Sequence, residues 1–232
     1  MIKLNKKSKK LLLLQRNELL SDKQIWLRKK FGRLLFTNLF INYFQIKGIE
    51  EITEKLFKKE IETFKDFLPV KVNNVLDIGC GLGIINIYLN KLFKNKPCFF
   101  LLDKNHVDKK IKYGFSDDYE AYNELSQTEK ILLDNEISKE NINLFNVDNK
   151  IEINTKIDLV ISLKSLGYHY PFEKYLNLLK QCCTEETIFI FDVSAGNFDK
   201  GLFHNYFKNI KVIYEEKSLH YLKRLYCKNF KI

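Results

Sequence analysis

The stretch Val75-Leu76-Asp77-Ile78-Gly79-Cys80-Gly81-Leu82-Gly83 constrains the fold of this chain more than any other. A short apolar run ends around a carboxylate, and three glycines follow at every second position. The pattern predicts a buried strand that breaks into a tight turn and opens a helix. A turn of this kind lets backbone approach a ligand where a Cβ would collide.

From here strands and helices alternate. Apolar runs predict strands at 74–78, 98–102, 141–147, 157–163 and 187–193, with helices at 84–92, 119–133 and 172–179. Four of these runs are continuous in apolar residues, as parallel strands buried on both faces must be. Segments 210–214 and 219–227 predict a terminal antiparallel pair turning near Ser218. Upstream, Ser21-Asp22 predicts the cap of a helix from Lys23 into the forties, and a second helix is expected over 49–67. The predicted organisation is a basic helical extension over 1–68 and an α/β domain over 69–232.

Charge is unevenly placed. The formal net charge is +10, and residues 1–33 hold 11 Lys or Arg against Glu18 and Asp22. Such an arm suits nucleic acid, anionic lipid or an acidic partner, or is a solvated Lys-rich surface. The apolar residues of 25–44 cover too wide an arc for a lone surface helix. They predict packing against the domain or, in a homo-oligomer, against a second subunit. Leu11–Leu14 is too short to span a membrane. The five cysteines have no pairwise spacing, and with four scattered histidines no metal site is legible. A cytoplasmic protein is expected.

The glycine turn has several candidate ligands. A P-loop needs Gly-Lys-Ser/Thr, whereas Gly83 is followed by Ile84 and Ile85. A dinucleotide site wants a small residue where Ile84 stands, although Asp103 is spaced like the ribose-binding acid. Asp77, inside the turn, would meet a pyrophosphate as a like charge. A ligand carrying an ammonium or sulfonium suits it better.

The run Asp77-Ile78-Gly79-Cys80-Gly81-Leu82-Gly83 resembles the first motif of the class I S-adenosylmethionine-dependent methyltransferases. The resemblance extends in strand order from about Val70 to Phe230. It implies a three-layer sandwich around a mostly parallel seven-stranded sheet with its last strand antiparallel. It also implies S-adenosyl-L-methionine as cofactor. By the same resemblance Gly79, Cys80, Gly81 and Gly83 approach the methionine part and Asp77 organises that end. Asp103, followed by Lys104, takes the ribose hydroxyls, Asp148 contacts the adenine, and Ser162 closes the site at the end of strand four.

The acceptor side reads Ser162-Leu163-Lys164-Ser165-Leu166-Gly167-Tyr168-His169-Tyr170-Pro171-Phe172. It differs from the Asn/Asp-Pro-Pro-Tyr/Phe motif of nucleic-acid amino-methylating enzymes. It also lacks the Pro-Cys nucleophile of cytosine-C5 enzymes. His169 is the candidate base, since imidazole takes a hydroxyl proton near neutral pH. Tyr168 and Tyr170 are candidates to orient the acceptor, with Tyr122, Asn123 and Asp192 on neighbouring loops. Together with Tyr113-Gly114-Phe115, this region resembles a little-described group of sugar O-methyltransferases. The expected activity is O-methylation of a small-molecule or glycan hydroxyl. An RNA methyltransferase holding its substrate with the basic arm, or a non-catalytic partner subunit, is the alternative.

Overall fold

The computed structural model describes residues 2–43, 48–108, 122–166, 170–194, 198, 200–216 and 221–231. The apolar runs form β1 (Asn74–Ile78), β2 (Cys98–Asp103), β3 (Ile142–Asn146), β4 (Leu159–Ser162) and β5 (Ile188–Ser194). The tail forms β6 (Phe207–Glu216) and β7 (Leu222–Phe230). They join in one sheet of order β3-β2-β1-β4-β5-β7-β6. Strands β1 to β5 pair in parallel, and β7 inserts antiparallel between β5 and β6. The expected mostly parallel seven-stranded sheet with an antiparallel final strand is therefore the observed one.

Strand alternation divides the interior in two. Val75, Phe99, Leu101, Leu159, Ile161 and Ile190 face one side; Leu76, Ile78, Leu102, Val160, Phe189 and Phe191 face the other. Successive strand side chains point to opposite faces, so a sheet of continuous apolar runs needs cover on both. Helices α4 (Ile49–Glu62), α5 (Ile84–Leu92) and α6 (Leu125–Asp134) supply the first cover. Helices α7 (Leu176–Cys182) and α8 (Lys200–His204) supply the second, with Phe172, Phe203, Phe207 and Phe230 meeting Phe189 or Phe191 ring to ring.

The N-terminal helices are α1 (Lys6–Gln15), α2 (Asp22–Phe31) and α3 (Arg33–Tyr43). Leu11, Leu12, Leu13 and Leu14 are each at most 2% exposed and belong to the same core as Val75 and Leu89. The leucine run is thus interior packing of the sheet's first face. Ser21 caps α2 through a capping box, its N–H donating to Gln24 Oε1 at 2.8 Å. The single helix expected from Lys23 into the forties is instead two. Gly32, at φ +80° and ψ 152°, leaves helical geometry and separates α2 from α3. The helix expected over 172–179 likewise begins as a 3-10 turn, Phe172–Tyr175, before α7.

Candidate functional site

The glycine turn leaves β1 at its carboxyl end, beside the ends of β2 and β4. Four of its backbone N–H groups are already engaged. Those of Gly79 and Cys80 donate to Leu102 O at 2.7 and 3.1 Å, and that of Gly83 donates to Cys80 O at 2.8 Å. The Gly81 N–H donates to Asp103 Oδ2 at 2.6 Å. A phosphate cradle works by presenting free N–H groups to an anion, and four of this turn's donors point elsewhere. The exclusion of a phosphate ligand, argued from Asp77 and Ile84, thereby gains a second ground.

The glycines make room for the chain's own side chains. A Cβ on Gly79 would lie 2.0 Å from Ser165 Oγ, and one on Gly81 would lie 2.8 Å from Gln15 Oε1. Gln15 ends α1 and reaches over the turn. Its Nε2 donates to Tyr122 O at 2.8 Å and to Asn123 Oδ1 at 3.4 Å. Asn123 Nδ2 in turn donates to Gly81 O at 2.7 Å and to Asp103 Oδ2 at 3.2 Å. The Thr128 hydroxyl donates to the same Gly81 carbonyl at 2.8 Å.

Two carboxylates bracket this web. Asp77 is 2% exposed and accepts a 2.6 Å hydrogen bond from Asn86 Nδ2. Burial pushes its carboxyl up to about 7; the Asn86 amide works against this, and the Asp103 charge adds to it. Asp103 is half-buried at the end of β2 and also accepts the Lys104 N–H at 2.7 Å. Loss of water pushes its carboxyl up to about 6, against its hydrogen bonds from Gly81, Lys104 and Asn123. Asn86 Oδ1 is buried without a hydrogen-bond partner among the described residues. Two acids disfavoured as anions and one orphaned amide oxygen together suit a cationic, hydroxyl-bearing ligand.

A second charged group lies at the end of β5. Asp192 is 0% exposed and holds Arg224 through both oxygens, at 2.7 Å from Nε and 2.9 Å from Nη2. Glu60 of α4 joins Arg224 and Arg16, each at 3.4 Å. Burial works against the Arg224 guanidinium, but Asp192 and Glu60 outweigh it and hold its pKa above the ordinary value. Burial also opposes ionised Glu60, and Arg16 with Arg224 reverses the balance, leaving that carboxyl lowered. The Lys164 N–H donates to Asp192 Oδ2 at 3.1 Å, and Lys164 Nζ pairs with Glu18. The cluster fastens α1, α4, β5, β7 and the loop after β4 to one another.

The fold is shared with known structures. A proposed O-methyltransferase from Nostoc punctiforme aligns over 76% of this chain and 56% of its own, at 10% identity and TM-score 0.53. Precorrin-6y C5,15-methyltransferase from Geobacter metallireducens aligns over 75% and 88%, at 13% identity and TM-score 0.50. A T. thermophilus 16S rRNA methyltransferase, in complex with AdoMet and guanosine, aligns over 75% and 42%, at 13% identity and TM-score 0.50. The chain has the class I methyltransferase fold. No family model matches it, and no curated protein is similar to it in sequence.

Within this methyltransferase fold the sequence-predicted residues separate into groups. Asp77, Gly79, Cys80, Gly81, Gly83 and Asp103 converge at the β1 and β2 ends, with Asn123 joining them through hydrogen bonds. Lys104 takes part through its N–H. Ser162 is buried and knits the protein together: its hydroxyl donates to Ile78 O at 2.6 Å and accepts the Leu166 N–H at 2.9 Å. Asp148 is exposed, 3.9 Å from His106 Nδ1. Tyr122 lends its carbonyl to Gln15, while its ring lies 5.0 Å from the Arg33 guanidinium. Tyr170 donates its N–H to Ser165 O at 3.1 Å, and its ring lies 4.7 Å from Lys174 Nζ. Tyr168 and His169 lie outside the described residues, as do Tyr113 and Phe115. Gln15, Asn86, Ser165 and Arg224 were not singled out from sequence. Gln15 offered a weak signal as the first polar residue after four leucines; the others have none locally.

Proposed function

We propose that the chain is an S-adenosylmethionine-dependent methyltransferase acting on a hydroxyl of a small molecule or glycan. One observation carries the reading: Asp77 and Asp103 bracket a glycine turn four of whose N–H groups are already engaged. Carboxylates without free anion-binding donors suit an ammonium or sulfonium and ribose hydroxyls better than phosphates. Asp103 accepts the ribose hydroxyls, and Asp77 favours the positive methionine end. Gln15 and Asn123 form the polar wall beside Gly81. The bound cofactor supplies an electrophilic methyl group. The chain's tasks are to align the acceptor oxygen with it and to remove the hydroxyl proton. His169 is the proposed base, with Tyr168 and Tyr170 orienting the acceptor.

The fold shared with other methyltransferases, one of them in complex with AdoMet, supports the cofactor reading. The RNA alternative has less support. Lys7 pairs with Glu124, Lys9 with Glu50 and Arg16 with Glu60, and Arg28 donates to Leu13 O. Part of the basic arm is therefore engaged within the protein. Calorimetry with S-adenosylmethionine tests the cofactor claim: binding by the native chain and none by Asp103→Ala is expected, and no binding by the native chain refutes it. A labelled-methyl screen over glycans, phenols and RNA then identifies the acceptor. With that acceptor, His169→Ala is expected to keep cofactor binding and lose transfer; an unchanged rate removes His169 as the base.

A further inference from the structure

Helices α2 and α3 present an apolar face that nothing among the described residues covers. Trp26 is 55% exposed, Phe31 53%, Leu35 53% and Leu39 41%. Leu27 and Phe31 stand one turn apart on α2, and Leu35 and Leu39 one turn apart on α3. Other positions of the two helices are anchored: Arg28, Phe36 and Thr37 are buried, and Arg28 Nη1 donates to Leu13 O at 2.9 Å. Exposed lysines are interspersed with the apolar residues. Lys23, Lys29 and Lys30 all reach solvent, and Lys30 Nζ lies 4.2 Å from the Trp26 ring centroid. Asp22 is the sole acid between Ser21 and Tyr43.

We propose that this face docks on the surface of an anionic lipid bilayer. Tryptophan, phenylalanine and leucine sink to the level of the headgroups, and lysines beside them reach up to lipid phosphates. The charge pattern favours this occupant. A second copy meeting the same face across a two-fold axis would set one net positive face against another. Nucleic acid would satisfy the lysines but leave three leucines, which have no ring to stack on bases, against a polar backbone. Among the described residues no helix is long and apolar enough to cross a membrane, so the attachment is peripheral. The inference is independent of the methyl acceptor.

Trp26 is the only tryptophan, so selectively excited tryptophan emission reports on this face alone. The full chain is mixed with vesicles of phosphatidylcholine, or of phosphatidylcholine with phosphatidylglycerol. A blue shift and co-sedimentation with the anionic vesicles, weakened by salt, are expected. Changing Lys23, Lys29 and Lys30 to Gln lowers partitioning by about a hundredfold, from roughly fivefold per lysine. Phe31→Glu with Leu35→Glu abolishes binding while circular dichroism stays native, since both side chains are exposed. No shift with anionic vesicles overturns the proposal, as does undiminished binding by the Glu variant. A blue shift without lipid, accompanied by a dimer mass, assigns the face to a second copy instead. A shift produced by RNA and not by vesicles assigns it to nucleic acid.

Discussion

Gly79→Ala tests how tightly the loop after β4 closes on the turn. Gly79 sits at φ +75°, where an L side chain is disfavoured by about 1 kcal/mol. The added Cβ would lie 2.0 Å from Ser165 Oγ and 2.3 Å from Ser165 Cβ, inside any real contact. Ser165 is 8% exposed, and its carbonyl accepts the Tyr170 N–H, so it has little room to withdraw. Overpacking of this kind costs about 1–3 kcal/mol, giving a total loss of about 2–4 kcal/mol. Gly83→Ala is the control. It carries similar backbone strain, but its Cβ would meet only Leu132 and Thr128 methyl groups at 3.2 Å, and the expected loss is about 1–2 kcal/mol. Adding Ser165→Gly to Gly79→Ala removes both clashing atoms, leaving Ser165 Cα at 3.8 Å. The cycle should then show a favourable coupling of about 1–3 kcal/mol. Urea unfolding followed by far-ultraviolet circular dichroism measures the parent and the variants, Ser165→Gly alone included. If Gly79→Ala is no worse than Gly83→Ala, or Ser165→Gly recovers nothing, the argued contact is wrong.

Other expectations concern charge. Asp77 has a native pKa raised to about 7 from an ordinary 3.8. The folded chain therefore holds a proton the unfolded chain releases, and this group's contribution to stability is full below about pH 4 and lost as pH rises through about 7. Asp77→Asn should flatten that slope, leaving the smaller contribution of Asp103, and should raise stability at pH 8 by about 2–4 kcal/mol; unfolding curves at pH 5 and 8 that match the parent's would refute it. Arg224→Met leaves buried Asp192 without its guanidinium partner, for an expected loss of about 3–5 kcal/mol in denaturant unfolding. A loss under about 1 kcal/mol would mean the cluster is not held as ions. Gln15→Ala removes the 2.8 Å bond to Tyr122 O and should destabilise by about 1 kcal/mol. Faster amide exchange at residues 122–123 should accompany it, and unchanged exchange would place the wall's support elsewhere.

The sheet was readable because its information is local. A parallel strand buried on both faces must be an apolar run, and β1, β2, β4 and β5 announce themselves in that way. The carboxylates at the ends of β1 and β2 follow from the same reading, since strand ends define the crevice. Gly32 was misread for the opposite reason: the apolar residues on its two sides fit one helical stripe, and the break is decided by a single residue's backbone. Gln15 over Gly81 and Arg224 on Asp192 are pairings between segments well separated in sequence. Nothing near either residue encodes its partner. Asp192, read as an acid that contacts the acceptor or caps its loop, also binds Arg224, thirty-two residues away.

The burial of Leu11–Leu14 has a consequence for how the chain is made. Lys3 donates its N–H to Asn135 Oδ1, and α1 packs in the same core as Ile131 and Leu132. A ribosome moving at about 5–20 residues per second takes on the order of ten seconds to travel from the leucine run to α6. Throughout that interval four consecutive leucines, preceded by Lys9 and Lys10, lack the part of their native cover that Ile131 and Leu132 supply. The nascent chain is thus a predicted client of ribosome-associated chaperones, and its yield should depend on them more than its final stability implies.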